Sequence, residues 1–509
     1  MAEEELGSRL LFTGTHSAHA LKLLNSVHSR LSSHRPDVEV RGLFFSESLS
    51  QGPSAGGYSF PAQVVSIGET LEKEHSHLAI ETYSNFLLSS SYAHLRYDGL
   101  KLLNRNDLTG TFRVLEREVY LQSSLLTLFD LLLELRPTLL VFPVSPHLFL
   151  PFVAARVADE LGIEVLHFQP CPGAPVALPK LANGDLVYSG SDDESKPELP
   201  EEIKAIFSKS LERLQATEDP AYMVRQRARD KKVATLSSGA KSLLLSFFWL
   251  FSDRYENAIS FSGHPRRYGM FRRAIALVLQ RSLERELREK VNSLGSSSVL
   301  ERYCIFAMHY EPERTSFPEG LPVRSQLDAI AMARRIVPRG LRLRVKEHYS
   351  QKSAALRGFL GRSPLAYGLI SRFPETDFLG ANEKLTDLIP QASCVFTLTG
   401  SIAIEAAFAG VPVAYFGSPW WDGLPGTTKI DEHSDFESIT SAVAPPPEAV
   451  FQFLSFRVQH SSVPSSGGEM ISEIEKRVGT LPANFLESES AALFMVIVKV
   501  LTDRESCAP

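Results

Sequence analysis

The chain has 509 residues, 44% of them hydrophobic, which is the composition of an ordinary globular protein. This length exceeds what one hydrophobic core usually supports, so the sequence predicts two domains. A formal net charge of −6 argues against nucleic acid as a main partner. The four cysteines lack metal-type spacing, which is typical of reduced structural thiols in a cytoplasmic protein.

The hydropathy pattern argues against export and against a membrane span. The first segment, MAEEELGSRLLF, is acidic and lacks the positive and apolar regions of a signal peptide. The longest strongly apolar run, 243–251, is far shorter than the roughly 20 residues that a membrane span needs. We therefore expect a cytoplasmic protein whose contact with a membrane is at most peripheral.

The chain begins with the pattern of a Rossmann-like domain. A strand over 10–12 is followed by the small-residue turn TGTHSAH, a helix, and a second strand over 38–45. The turn has one glycine and lacks the dinucleotide fingerprint, so we assign it no cofactor. His16 and His19 belong either to a cleft at this sheet edge or to an ordinary loop and helix start.

A second strand-to-helix turn carries Ser145-Pro146-His147. It follows a predicted strand over 138–142 and precedes a helix that Gly162 closes. Ligands in open α/β sheets bind at such turns, which makes His147 a candidate for the cleft. The alternative is a capping or packing histidine.

Residues 223–273 interleave basic and aromatic side chains, as in RQRARDKK and HPRRYGMFRR. An amphipathic surface of this composition binds anionic lipid, which would place the protein at the inner face of a membrane. A helix packed into the protein, with its flanking bases in water, explains the same pattern. Both interpretations stay open at this point.

A charged helix over 274–292 ends at a Gly-Ser-Ser-Ser linker, where we place the domain boundary. The division gives a Rossmann-like domain over 1–294 with a helical insertion around 200–290, and a second Rossmann-like domain over 299–430. A helical region over 431–509 follows, and its last helix is a candidate to cross back to the first domain. Alternating strands and helices in the second domain predict a parallel, doubly wound sheet.

The stretch SCVFTLTGSIAIEAAFAGVPVAYFG, residues 393–417, predicts a strand, a turn, a helix and a strand. Such a turn presents backbone N–H groups and the positive end of a helix dipole, so it binds phosphate readily. Thr399 and Ser401 add hydroxyl donors around Gly400, and Glu405 is placed to accept the hydroxyls of a ribose. Alternatively, Ser401 is only a helix N-cap and Glu405 an acid favoured by the dipole.

Two further turns follow predicted strands of the second domain. One holds His309 and Glu313, and the other holds Lys346 and His348. Because parallel strands end at one sheet edge, we expect both turns to converge with the turn at 399–401. Histidines, a lysine and carboxylates beside a helix N-terminus suit a phosphate-bearing donor and an acid-base step.

Three segments of this domain resemble a known family: FAMHYEPERTSFPEG, RLRVKEHYSQ and FTLTGSIAIEAAFAGVPVAYFG. They are similar to the H-x-x-P-E, V-K-E-H-P and T-G-S-x3-E-A elements of bacterial capsule and surface polysaccharide biosynthesis proteins, which include Kdo transferases. The resemblance spans 303–421, with a fainter echo in 145–168. The chain departs from the pattern at Tyr349, which replaces the proline of the second element, and at Glu311, where glutamine is common.

The resemblance implies a GT-B architecture, in which two Rossmann-like doubly wound domains face each other across a cleft. It implies that His348 and Ser401 contact the phosphate of a nucleotide donor, with CMP-linked sugars favoured, and that Glu405 holds the ribose. It also implies that His309 and Glu313 face the reacting sugar, so that the catalytic candidates are Glu313, His309 and His348.

The sequence therefore predicts a glycosyltransferase that moves a sugar from a nucleotide donor to a surface polysaccharide or glycolipid acceptor. Lys346 is expected beside the donor phosphate, and Trp420 either stacks on a sugar or base or packs the domain interface. The motifs require no metal, since no D-x-D element lies on a suitable turn. The alternatives are a sugar-nucleotide epimerase, a polyol-phosphate transferase, and a degenerate protein that binds sugar nucleotides as a scaffold.

Overall fold

The fold is seen in a computed structural model of the chain. The structure describes residues 8–14, 18–46, 57–66, 70, 73–106, 113–188, 196–216, 221–235, 270–294, 302–311, 313–353, 358–380, 383–441, 444–467 and 471–507.

The strands are β1 (Arg9–Gly14), β2 (Glu39–Ser46), β3 (Ala62–Ser66), β4 (Leu139–Phe142), β5 (Glu164–Pro170), β6 (Val176–Leu181), β7 (Tyr303–Ala307), β8 (Arg342–Lys346), β9 (Thr376–Phe378), β10 (Val395–Thr397), β11 (Val413–Tyr415), β12 (Thr427–Lys429) and β13 (Val463–Pro464). The helices are α1 (Ala18–His34), α2 (His77–Phe86), α3 (Ser90–Asn106), α4 (Val114–Leu135), α5 (Phe149–Glu160), α6 (Glu201–Gln215), α7 (Ala221–Thr235), α8 (Met270–Ser293), α9 (Gln326–Ile336), α10 (Pro364–Ile370), α11 (Leu385–Leu388), α12 (Ile402–Phe408), α13 (Phe436–Thr440), α14 (Pro447–Ser461), α15 (Ile471–Val478) and α16 (Phe485–Cys507).

The first sheet has the strand order β3-β2-β1-β4-β5-β6-β13. Its first five strands run parallel, whereas β6 and β13 add to one edge in antiparallel fashion. The chain moves outward from β1 to β3 and then returns to the other side of β1 with β4. The topological switch point of this sheet therefore lies between β1 and β4, where open α/β sheets bind their ligands.

The second sheet has the order β9-β8-β7-β10-β11-β12, and all its strands are parallel. The chain again moves outward on one side and returns on the other, so this switch point lies between β7 and β10. All five residues of β7 are buried, as expected for the central strand of a parallel sheet. The predicted α/β class with two Rossmann-like doubly wound sheets is confirmed.

The terminal helix α16 packs against α1 beside the first sheet. Leu493 and Ile497 of α16 share one buried apolar cluster with Val27 and Leu31 of α1. Side chains of this size each stabilise the fold by about 1.5–3 kcal/mol when they are fully buried. The last helix therefore belongs to the same compact unit as the start of the chain.

Contacts divide the chain into two units. The first comprises the described residues of 1–207 and 457–509, and the second those of 208–235 and 270–456. Helices α7 and α8 fall in the second unit, whereas the sequence-based division assigned 200–290 to the first domain. The physical reason is apolar packing, since Leu287 and Val291 of α8 are buried in the core of the second sheet.

The basic and aromatic stretch is described only at its two ends, since residues 236–269 lie outside the described residues. In α7 the guanidinium carbon of Arg227 lies 5.0 Å from the centre of the Tyr349 ring. The side-chain oxygen of Gln226 accepts a hydrogen bond from Ser350 Oγ at 3.0 Å. The first end of the stretch thus packs within the second unit. In the described helices, none combines the length and apolar character that crossing a membrane requires.

Candidate active site

The loops after β7, β8 and β10 meet at the carboxyl edge of the second sheet. β7 lies between β8 and β10, so its loop has a neighbour on each side. On one side the backbone N–H of Met308 donates to the carbonyl of Lys346 at 2.9 Å. On the other, the backbone N–H of Thr399 donates to Nε2 of His309 at 3.1 Å. The structure brings together the three turns in which the sequence placed donor-binding and catalytic candidates.

The His309 ring is held by protein groups at both nitrogens. Nε2 accepts from the Thr399 N–H and lies 3.2 Å from Thr397 Oγ1. Since Nε2 is an acceptor, the neutral ring carries its proton on Nδ1, which lies 3.2 Å from Thr315 Oγ1. This geometry favours a positioning function, in which His309 fixes the turn that begins at Thr399. Its predicted catalytic role stays a prediction.

Gly400 is required by close packing in the same turn. A Cβ at this position would lie 2.7 Å from Thr397 Oγ1 and 3.4 Å from Nε2 of His309. The backbone N–H of Gly400 donates to Thr397 Oγ1 at 3.2 Å, and the hydroxyl of Thr399 donates to the carbonyl of Thr315 at 2.6 Å. The turn is therefore fixed by hydrogen bonds to its own strand, β10, and to the loop after β7.

Ser401 stands exposed at the start of α12. Its hydroxyl makes no capping hydrogen bond to the helix, and it bonds to no other group in the described part of the chain. The alternative in which Ser401 serves as a side-chain N-cap is therefore not observed. Glu405 follows on the first turn of α12 and is half-buried. A hydroxyl donor and a carboxylate thus lie at the end of the helix that faces the switch point.

His348 accepts a hydrogen bond at Nδ1, whereas His309 accepts one at Nε2. Its Nδ1 accepts the backbone N–H of Ser350 at 3.2 Å, at the start of a short 3₁₀ turn over Tyr349–Lys352. The proton of the neutral ring is therefore on Nε2, which bonds to no described residue. His348 consequently offers a free N–H donor at this edge of the sheet.

Both histidines are neutral near pH 7. Burial, with smaller contributions from His348 and Arg362 nearby, lowers the pKa of His309 to about 3. Burial and the Arg362 cation lower the pKa of His348 to about 4. A neutral imidazole N–H can donate a hydrogen bond to an anion without transferring its proton, which fits a binding function for His348.

Lys346 is buried at the end of β8. Its ammonium group donates to the carbonyl of Gly380 at 2.5 Å. Burial is the main cause that lowers the pKa of Lys346 to about 8, so the group is mostly charged at pH 7. Its predicted contact with a donor phosphate stays a prediction, since its described hydrogen bond goes to the protein.

A buried guanidinium joins the loops after β7 and β8. The side chain of Arg362 is 4% exposed and donates to Glu311 Oε2 at 3.1 Å and to the carbonyl of His309 at 3.0 Å. Its Nε lies 3.2 Å from Glu347 Oε2. Burial disfavours the cation, but Glu347 and Glu311 outweigh this effect and raise the pKa of Arg362.

Three further polar side chains complete this network. The Tyr367 hydroxyl donates to Glu347 Oε2 at 2.6 Å. Gln351 exchanges two hydrogen bonds of 2.9 Å with the backbone of Glu311, and Gln326 exchanges bonds of 2.7 and 3.2 Å with the backbone of His309. Sequence reasoning missed these residues and Arg362. The available signal was the pair of carboxylates in the motif loops, which need a cation when they are buried.

Other predicted residues lie apart from this network. Glu313 is exposed in the loop after β7. His147 lies in the first unit, and its Nδ1 is 2.9 Å from the carbonyl of Ser145 in its own turn, so its predicted place in a cleft stays a prediction. Trp420 is 6% exposed and Trp421 is fully buried, which fits packing and leaves little surface for stacking. His16 lies outside the described residues.

The donor atoms of the site suit an anion more than a metal. Among the residues that the structure describes, no group of three or more His, Cys, Asp or Glu side chains is placed to hold a metal ion. Within the described residues of the three turns, the His348 N–H and the Ser401 hydroxyl are hydrogen-bond donors that bond to no other described group.

Comparison with known proteins gives similarity only to solved structures. No family model matches the chain, and no curated protein matches it. The β-Kdo 2,7 transferase of Thermosulfurimonas dismutans KpsC is 11% identical, over 96% of this chain and 99% of that one, with a TM-score of 0.27. The β-Kdo 2,4 transferase of the same protein is 14% identical over 39% of this chain and 61% of that one, with a TM-score of 0.24. UDP-GlcNAc 2-epimerase from Methanocaldococcus jannaschii is 13% identical over 92% and 99%, with a TM-score of 0.21.

Proposed function

We propose that this protein is a glycosyltransferase that moves a sugar from a nucleotide-sugar donor to a surface polysaccharide or glycolipid acceptor. One observation carries the proposal: two uncharged donors, the His348 N–H and the Ser401 hydroxyl, lie on loops that His309 and Arg362 hold at one sheet edge. Open α/β sheets bind their ligands at this edge. The family resemblance of the same loops supports the same reading.

In this proposal the donor phosphate lies against Ser401, Gly400 and His348. Hydrogen bonds from the Ser401 hydroxyl and the His348 N–H stabilise the negative charge that grows on the leaving phosphate as its bond to the sugar breaks, and Gly400 leaves room for the phosphate in the turn. Glu405 accepts hydrogen bonds from the ribose hydroxyls. The Lys346 ammonium adds positive charge at the start of the loop that holds His348. CMP-linked sugars are the favoured donors.

The acceptor hydroxyl attacks the anomeric carbon while a carboxylate takes its proton. Alternatively, the carboxylate first displaces the phosphate and forms a bond to the sugar, and the acceptor hydroxyl then displaces the carboxylate. We assign this function to Glu313, the carboxylate of the H-x-x-P-E element. His309 and Arg362 act as positioning residues, because their side-chain nitrogens already contact other groups of the protein.

The proposal includes peripheral contact of 223–273 with anionic lipid at the cytoplasmic face of a membrane. Such contact depends on charge, so it should weaken as salt rises. Sedimentation with anionic liposomes at low and high salt tests it. No sedimentation at low salt would remove the membrane from the proposal without affecting the transfer reaction.

Thermal unfolding with CMP, CDP, UDP and GDP sugars tests donor binding. A donor at 100 times its dissociation constant stabilises the folded state by about 2.7 kcal/mol. His348→Ala and Ser401→Ala should abolish the stabilisation, whereas the exposed controls His433→Ala and Ser371→Ala should keep it. Transfer of labelled sugar to an acceptor then tests the reaction. If no sugar nucleotide stabilises the protein, the proposed function is wrong. If a sugar nucleotide stabilises both site variants as much as it stabilises the wild-type protein, the proposed site is wrong.

A further inference from the structure

A cavity of about 50 Å³ lies at the switch point of the first sheet. It is bordered by Phe12 and Thr13 at the end of β1 and by Pro143 just after β4. Leu493 of α16 and Ser466, beyond β13, border it from the C-terminal part of the chain. All these residues belong to the first unit. The cavity therefore occupies the position where an open α/β sheet binds a ligand, in a unit to which the donor site does not belong.

The walls of this switch-point cavity are mainly apolar. Phe12, Phe44 and Phe168 are all at most 3% exposed, and Leu24 is 7% exposed. The volume is about a third of the roughly 150 Å³ that holds a benzene molecule in an engineered protein cavity. An aromatic ring therefore does not fit without movement of the walls, whereas the end of a slim alkyl chain does.

The polar residues of the wall are Thr13, His19, Ser465, Ser466 and Glu489. The Thr13 hydroxyl donates to the carbonyl of Val141 at 2.9 Å, so it is used within the sheet. His19 and Glu489 form a pair, with Nε2 lying 2.9 Å from Oε2, and their side chains are only 11% and 4% exposed. The other carboxylate oxygen of Glu489 accepts the backbone N–H of Ser466.

This pair retains hydrogen-bonding capacity. A carboxylate offers about four acceptor positions, and Glu489 uses two of them for described groups. Burying a carboxylate in apolar surroundings is costly unless further hydrogen bonds satisfy it. The remaining positions suit a ligand group that donates a hydrogen bond. An alcohol hydroxyl supplies one such hydrogen bond and adds no charge to the pair.

We propose that the switch-point cavity binds an aliphatic alcohol, with its hydroxyl donating to Glu489 and its alkyl chain between Phe12, Phe44 and Leu493. This inference goes beyond the proposed function and does not rest on it. The cavity lies wholly within the first unit, and the test measures binding without a sugar nucleotide or a reaction.

The test titrates the full-length protein with methanol, ethanol, 1-propanol, 1-butanol and 1-hexanol, using ligand-observed NMR. Each buried methylene contributes about 0.8 kcal/mol, so the affinity should rise roughly fourfold per carbon until the cavity is filled. Methyl pentyl ether has the heavy-atom count of hexanol but no donor, so it should bind at least about tenfold more weakly. This comparison uses the wild-type protein alone.

Two variants and a control complete the test. Leu493→Phe adds volume to the cavity wall and should abolish hexanol binding, whereas Val496→Leu, in the same helix and core but not in the wall, should preserve it. Glu489→Gln should weaken hexanol but leave the ether unchanged.

The proposal is overturned if hexanol shows no saturable binding to the folded protein, or if the affinity does not depend on chain length. It is also overturned if hexylammonium binds more tightly than hexanol, since that result would assign the site to a cation. Equal binding of hexanol and the ether would show that Glu489 does not receive the hydroxyl.

Discussion

The backbone N–H of Thr399 donates to Nε2 of His309 across the switch point of the second sheet, over 3.1 Å. One buried bond thus ties the loop after β10 to the loop after β7, 90 residues away in the sequence. An imidazole that accepts a backbone N–H in the interior must remain neutral to do so. The arrangement of the Thr399–Gly400–Ser401 turn is therefore coupled to the protonation state of His309.

We expect the stability of the protein to fall in mild acid because of His309. Its pKa is about 3 in the folded protein against an ordinary value of 6.5, so the unfolded chain takes up the proton first as the pH falls. The contribution of His309 to the free energy of unfolding is therefore fully present above about pH 7. It decreases as the pH falls from 6.5 towards 3, and about 2 kcal/mol of it is lost at pH 5. Urea unfolding between pH 4 and 8 measures it.

His309→Gln removes the titrating ring and keeps an oxygen that accepts the Thr399 N–H. The variant should lose part of the pH dependence between 4 and 6.5, whereas the exposed control His433→Gln should retain all of it. An unchanged slope in His309→Gln would mean that protonation of His309 does not oppose folding.

Gly400→Ala should destabilise the protein, since the added Cβ would lie 2.7 Å from Thr397 Oγ1. Overpacking of this type costs about 1–3 kcal/mol, and a displaced turn should also weaken binding of a nucleotide sugar. Gly368→Ala is the matched control, because its Cβ would meet nothing within 4 Å inside α10 and should stabilise that helix by up to about 1 kcal/mol. Equal unfolding midpoints for the two variants would contradict the packing explanation.

The thiols of Cys304 and Cys394 should resist alkylation in the folded protein. Both side chains are fully buried in the second core, and burial raises the pKa of Cys304 to about 12 and that of Cys394 well above its usual value. The reactive thiolate is therefore scarce at pH 8. Iodoacetamide followed by peptide mass spectrometry should label both residues in urea and neither in buffer. Rapid labelling in buffer would show that the core of this sheet opens readily.

Much of the parallel architecture was predictable because its signals are local. The strands at 10–12 and 38–45 were found as β1 and β2 from short apolar runs, and Gly162 adopts the positive φ of a helix-closing residue, 67°. The parallel edge strands β3 and β12 were missed, as were the antiparallel strands β6 and β13. β6 and β13 each contain a proline, which argues against a strand in sequence reasoning. Pro464 lies in the edge strand β13, and Pro179 lies in β6 beyond the two residues that pair with β13.

The candidate site was predictable only where its residues stand in motif loops. Arg362 lies outside those segments, and its partners Glu311 and Glu347 are 51 and 15 residues away, so no periodicity or spacing marks it. The departure at Glu311 acquires a physical reason only in the structure, where it pairs with that guanidinium. Likewise Tyr349, in place of a proline, lies under Arg227 of α7, a contact that local sequence cannot reveal.

Arg362→Met should be the most destabilising of these substitutions. It leaves the buried carboxylate of Glu347 and the partly buried one of Glu311 without their cation, and breaking a buried ion pair on one side costs about 3–5 kcal/mol. Adding Glu311→Gln to this variant removes one uncompensated charge and should recover part of the loss, whereas the exposed control Arg372→Met should change stability by less than about 0.5 kcal/mol. Urea unfolding of all three variants decides: a loss below about 1 kcal/mol, or no recovery in the double variant, would show that the network does not hold the two loops.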